Sequence, residues 1–148
     1  VDVQFACARG KRPGPRRIAR WAQTALAGRC RRGAFTVRVV GEKEGAALNR
    51  RWRGKRGATN VLSFPGMDHP DGGTDLLGDI VICAPVVDRE ARQQGKTRAA
   101  HWAHIVVHGA LHLLGYDHAT RTQAAAMESL EVRLLASLGV ANPYRESA

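Results

Sequence analysis

His108, His112 and His118 lie within the run His-Gly-Ala-Leu-His-Leu-Leu-Gly-Tyr-Asp-His, and their spacing suits a single metal ion. On a helix, residues four apart are turned by about 40° and raised by about 6 Å, so the rings of His108 and His112 reach a common point. Gly115 can take the left-handed conformation that closes helices, which lets the chain double back and bring His118 to that point from outside. Three neutral imidazoles suit Zn²⁺, one ion per chain, and three protein ligands leave a tetrahedral position open, as catalytic zinc requires. The competing reading makes His108 and His112 hydrogen-bonded core residues and His118 a loop residue. The third histidine, placed just beyond a glycine, favours the metal.

His104, His108 and His112 also form a row along one helix face, but they spread over about 12 Å of rise, too far for one ion. His104 is therefore expected behind the ligands or on the cleft wall, His101 on the ordinary surface, and His69 has no role. The pattern is that of a metzincin-like metal-site helix, except that Gly109 stands where metzincin peptidases carry the glutamate base. A zinc peptidase is thus the lesser reading, while hydrolysis by zinc-activated water stays open. Asp117 is read as orienting His118, with a proton-transfer role as the alternative.

The chain has 148 residues, a net charge of +10 and 44% hydrophobic residues, the profile of one globular domain with an anionic partner. No apolar run approaches the ~20 residues of a membrane span, so no membrane partner is expected. The first residues lack the pattern of a secretory signal, and the expected compartment is the cytoplasm. Cys7, Cys30 and Cys83 are odd in number and unpaired in sequence, which fits reduced thiols rather than disulfides or a thiolate metal site.

Between Arg50 and Arg56 five of seven residues are basic, namely Arg50, Arg51, Arg53, Lys55 and Arg56, with Trp52 among them as a stacking surface. Further basic groups span Arg9–Arg20 and Arg29–Arg32, where an ordinary solvated face is an equal alternative. Asn60, Ser63 and Asp79 are candidates for lining the cleft, against the alternative of strand-end hydrogen bonding. Met127 is read as core.

Hydrophobic periodicity predicts strands at Val1–Ala8, Phe35–Val40, Asn60–Phe64 and Gly78–Cys83, and helices at Pro15–Cys30, Glu42–Arg51, Pro85–Gln94 and Thr97–Leu114. A last helix runs from a Thr120 cap to Leu138, and Pro65–Gly73 reads as a flexible loop at the cleft rim. The order βαβαββααα predicts an α+β domain, with a small mixed four-stranded sheet packed with about five helices.

With these residues assembled, the chain resembles the YbeY family of bacterial metal-dependent endoribonucleases of rRNA maturation. The resemblance rests on His108 to His118, on Leu48-Asn-Arg-Arg-Trp-Arg-Gly-Lys55 leading into Ala58-Thr-Asn-Val-Leu-Ser-Phe-Pro65, and on Leu77-Gly-Asp-Ile-Val-Ile-Cys83. It covers nearly the whole chain. It implies that His108, His112 and His118 are zinc ligands and that Arg53 is the essential arginine, so Arg53 and His112 are expected to carry catalysis. Arg50, Arg51, Trp52, Lys55, Arg56, Asn60, Ser63 and His104 are expected to help hold substrate. The family carries an aromatic such as Tyr where Trp52 stands and commonly a proline where Ala58 stands.

By resemblance the activity is cleavage of single-stranded RNA in 16S rRNA maturation and ribosome quality control. The small ribosomal subunit is the partner, and DNA is not expected. The alternative is a ribosome-associated RNA-binding assembly factor with a mainly structural metal.

Overall fold

The computed structural model describes residues 1–7, 12–27, 29, 34–66 and 76–145. Cys30, His69, most of the Pro65–Gly73 loop, and parts of the Arg9–Arg20 and Arg29–Arg32 groups lie outside the described residues. The elements follow the predicted order: β1 (Asp2–Ala6), α1 (Pro15–Leu26), β2 (Ala34–Val40), α2 (Glu42–Arg53), β3 (Val61–Pro65), β4 (Leu76–Cys83), α3 (Ala84–Gln93), α4 (Arg98–Leu113) and α5 (Arg121–Ser137).

The sheet has the order β1-β2-β4-β3, in which β1, β2 and β4 run parallel and β3 pairs antiparallel with β4. Alternation along each strand splits its side chains between two faces. Phe35, Val37, Val39, Ile80 and Ile82 enter the main core with α1 and α4, whereas Val40, Leu62, Val81 and Cys83 form a smaller cluster with Val86 and the half-buried Leu48 of α2. The mixed four-stranded α+β layout is the one expected.

The stripe predicted for α1, Ile18, Trp21, Ala22, Ala25 and Leu26, is its buried face, but the helix stops at Leu26 rather than Cys30 because Ala27 leaves the helical region. In the opposite sense, α2 continues to Arg53, two residues beyond the expectation, because Gly54 closes it in the left-handed conformation (φ 64°). Arg53 therefore sits on the last turn of a helix. Asn49, buried on α2, donates from Nδ2 to Gly57 O at 2.7 Å and ties the basic turn back to that helix.

Helix α4 is the central element, packed against α1, α3, α5, β3 and β4. Thr97 caps its start by accepting from Ala100 N–H at 3.1 Å. At its other end Tyr116 N–H donates to Leu111 O and Gly115 N–H to His112 O, with Gly115 at φ 99°. This is the paired closure that turns a helix sharply back on itself. Thr120 and Gln123 then form a reciprocal capping box that starts α5.

Gly78 marks the closest approach in the β3–β4 pair. Its φ is 133°, and a Cβ there would lie 2.0 Å from Phe64 O. Gly78→Ala must therefore separate the two strands or strain the backbone, and it is expected to lower unfolding free energy by about 2 kcal/mol or more in urea titration, with the far-ultraviolet spectrum of the folded state unchanged.

Candidate metal centre and groove

The reversal at Gly115 brings His118 back over the end of α4. One ring nitrogen from each of His108, His112 and His118 then lies within 4.8 Å of the others. His108 Nε2 and His112 Nε2 are 3.2 Å apart. Two nitrogens on one tetrahedral zinc, each at ~2.0–2.1 Å, stand about 3.4 Å apart, so the pair is already near ligating separation. Burial, followed by the neighbouring His108 and His118, pushes the His112 pKa below its ordinary value and favours the neutral ring that a cation needs. His118 is the exposed member, and its own backbone N–H donates to Asp117 Oδ1 at 2.7 Å. Asp117 thus shapes the loop that carries His118. The donor set, three imidazoles with no thiolate, fits a borderline divalent cation such as zinc.

The residue that sequence reasoning missed is Glu131 of α5, fully buried. Its Oε1 accepts from His108 Nδ1 at 2.5 Å, which leaves His108 Nε2 as the free lone pair facing the cluster. Its Oε2 accepts from His104 Nε2 at 2.9 Å and from the Tyr144 hydroxyl. Burial alone would push this carboxyl up, but hydrogen bonds from His104, His108 and Tyr144 outweigh it and hold the pKa at about 2. His104, His108 and Glu131 form a second triplet of ligand-type atoms within 4.8 Å, and these hydrogen bonds account for its closeness. A signal existed in the sequence: an acidic residue among Met127, Leu130 and Leu135 on the buried stripe of a helix.

One histidine expectation needs correction. His101 is 3% exposed rather than on the surface, and its Nε2 lies 3.0 Å from Glu90 Oε1. The crowding of α4 by its neighbours leaves that helix little free face. His104 takes the first of the two places expected for it, behind the ligands, one turn before His108 with Nε2 turned to Glu131, and it is not among the described groove-lining residues.

The histidines form the floor of a groove of about 520 Å³, whose remaining lining includes Trp52, Arg53, Asn60, Ser63 and Phe64. Trp52 is 58% exposed and meets Phe64 edge-on at 5.8 Å between ring centroids. The Arg51 guanidinium stands 5.2 Å from the Trp52 ring. Arg50, Arg51, Lys55 and Arg56 are exposed on the same helix end and turn, outside the groove wall. Asn60 donates to Glu90 at 3.1 Å and Ser63 Oγ donates to Gly109 O at 3.2 Å, so both also brace the wall. Asp79 is exposed and does not line the groove.

Gly109 faces the sheet. A Cβ there would lie 3.1 Å from both Ile80 and Val61 side chains, and none of the described groove-lining residues is a carboxylate. A larger cavity of about 760 Å³ lies elsewhere, bordered by Arg89, Arg92, Lys96 and Arg98, of which Arg89, Lys96 and Arg98 pair with Glu42, Pro143 O and Asp88 respectively.

A histidine cluster able to hold a metal, at the foot of a groove edged by arginine and exposed tryptophan, defines an α+β protein built to handle an anionic chain. Comparison with known proteins narrows that class. The family described as Endoribonuclease YbeY matches residues 13–139, and the chain belongs to that family. Relatives named Endoribonuclease YbeY include those of Stutzerimonas stutzeri (52% identity, covering 100% of this chain and 94% of the relative) and Alkalilimnicola ehrlichii (53%, covering 98% and 90%). The solution structure of TM1509 from Thermotoga maritima shares the fold, with a TM-score of 0.60 at 23% identity over 93% of this chain and 91% of that one.

Burial holds the His101 pKa below its ordinary value, the Glu90 contact opposing it only in part. The native state therefore binds fewer protons at this site than the unfolded chain just below the ordinary histidine pKa, and stability falls as pH falls through that window. Urea midpoints of metal-free protein should drop between pH 7 and 5, and His101→Gln should flatten the slope.

Proposed function

We propose that this chain is a zinc-dependent, single-strand-specific endoribonuclease, acting as one catalytic unit on 16S rRNA of the small ribosomal subunit in rRNA maturation and ribosome quality control. The compartment of that substrate is the cytoplasm. The observation that carries the reading is the convergence of His108, His112 and His118 at the foot of a groove whose walls include Arg53 and Trp52. When bound, zinc supplies a Lewis acid and a means of activating water at neutral pH.

His108, His112 and His118 hold the ion, and Glu131 and the neutral state of His112 keep their lone pairs available. Arg53 clamps the scissile phosphate and stabilises the charge that grows on its oxygens, a task suited to the planar guanidinium fork. Trp52 offers an exposed face on which an unstacked base can lie, which favours single strands over duplex. Arg50, Arg51, Lys55 and Arg56 contribute a backbone-directed cationic field. Asn60 and Ser63 complete the wall.

A second reading has one observation in its favour: the described groove lining holds no carboxylate to act as base. On that reading the protein binds RNA as an assembly factor with a structural metal. A peptidase has less support, because a glutamate at position 109 would meet Ile80 and Val61.

Full-length protein purified without added metal should contain one equivalent of zinc and cut single-stranded RNA in a chelator-sensitive way. His112→Ala should lose metal and cleavage together, and Arg53→Ala should keep metal while kcat/KM falls by about 10²-fold or more. Metal-bound protein that binds RNA without cutting it points to the assembly factor.

Trp21 and Trp102 are buried, so fluorescence quenching on adding RNA reports on Trp52. Quenching should occur with single-stranded RNA, and Trp52→Ala should weaken binding by about 1–3 kcal/mol. Unaltered affinity removes stacking from the account.

A further inference from the structure

Glu131 is a carboxylate placed where the fold otherwise puts apolar groups, with Met127, Leu130 and Leu135 as the other buried residues of its helix. An ion in that position is tolerated only when its oxygens are fully engaged. The two oxygens are engaged differently. Oε1 faces His108 alone, whereas Oε2 is held from two sides by His104 and by the Tyr144 hydroxyl. That double hold stops the carboxylate from turning away from His108. It also spends the Nδ1 proton of His108, so the nitrogen beside His112 carries a lone pair.

Tyr144 belongs to the segment that follows α5, and that segment is anchored by other bonds. Lys96 Nζ, between α3 and α4, donates to Pro143 O at 2.7 Å, and Val140 N–H donates to Leu135 O of α5 at 2.8 Å. Loss of the hydroxyl alone leaves these anchors in place.

We infer that Glu131 is a positioning residue for the histidine cluster and that Tyr144 secures it, so that the segment after α5 sets how tightly the cluster holds its cation. This rests on the proposed reading that the cluster binds zinc. Glu131→Gln is the informative change because an amide has one accepting oxygen. His104 and Tyr144 both donate, so that oxygen turns to them and the NH₂ faces His108. The His108 proton then moves to Nε2, where it blocks a ligand position.

Zinc affinity of the full chain, measured by competition with a chromophoric chelator, should fall by roughly 10–100-fold in Glu131→Gln. Tyr144→Phe should lose severalfold, and the metal-free forms should still unfold cooperatively. Imidazole ¹⁵N shifts of metal-free protein should show His108 protonated on Nδ1 in the wild type and on Nε2 in Glu131→Gln.

Affinity within twofold of wild type in Glu131→Gln overturns the proposal. Should that variant fail to fold, unchanged affinity in Tyr144→Phe does so. Wild-type protein that binds no zinc sinks the metal reading instead, and the ¹⁵N shifts then decide on Glu131 alone, an Nε2-protonated His108 in the wild type counting against it.

Discussion

A helix crowded by neighbours on most of its length must nevertheless carry four imidazoles, and buried polar groups are costly unless paired. Helix α4 meets this constraint with a graded series. His101 faces Glu90 of α3, His104 and His108 share Glu131 of α5, and His112 reaches the open groove. Each turn toward the C-terminal end is thus less enclosed by protein partners. The cluster forms just past the Glu131 contact, where the Nε2 atoms of His108 and His112 face one another.

The same crowding shapes the chemistry by exclusion. Gly109 brings α4 close to the sheet, with Ile80 and Val61 filling the space a side chain would take, and Ser63 Oγ donates to its carbonyl. A glutamate base at that position would press its Cβ on Ile80 and Val61, so the helix–sheet contact would have to give to admit it. The groove therefore combines imidazole donors with arginine and aromatic surface and no described acid. Among the described lining residues no carboxylate repels an anionic chain or competes for the Arg53 guanidinium.

What the sequence reveals follows the range of the interactions involved. His108, His112 and His118 can be read directly because helix geometry and one left-handed glycine relate them over a few residues. The buried stripe of α1 and the Thr120 cap are equally local. Glu131 meets His108 across 23 positions and Glu90 meets His101 across 11, and these meetings depend on how separate helices pack. Sequence alone offers only an anomaly, an acid on an apolar stripe. The misreading of His101 has the same origin, since burial on α4 comes from α1, α3 and α5 together.

The placement of Arg53 shows how a small local difference carries into the site. Had α2 ended at Arg51, Arg53 would belong to a loop whose direction Gly54 and Gly57, just beyond it, leave loose. Instead Gly54 closes the helix after Arg53, and Asn49 pins the following turn through Gly57 O. The end of α2 is the negative end of the helix dipole, and Arg50, Arg51 and Arg53 lie in its last turn, where cations are favoured. Arg53, the arginine of the groove lining, thus also stabilises the helix end that aims it. Arg53 on one wall and the histidine cluster on the floor thus come from two helix ends, each closed by a glycine, with β3 lining the groove between them.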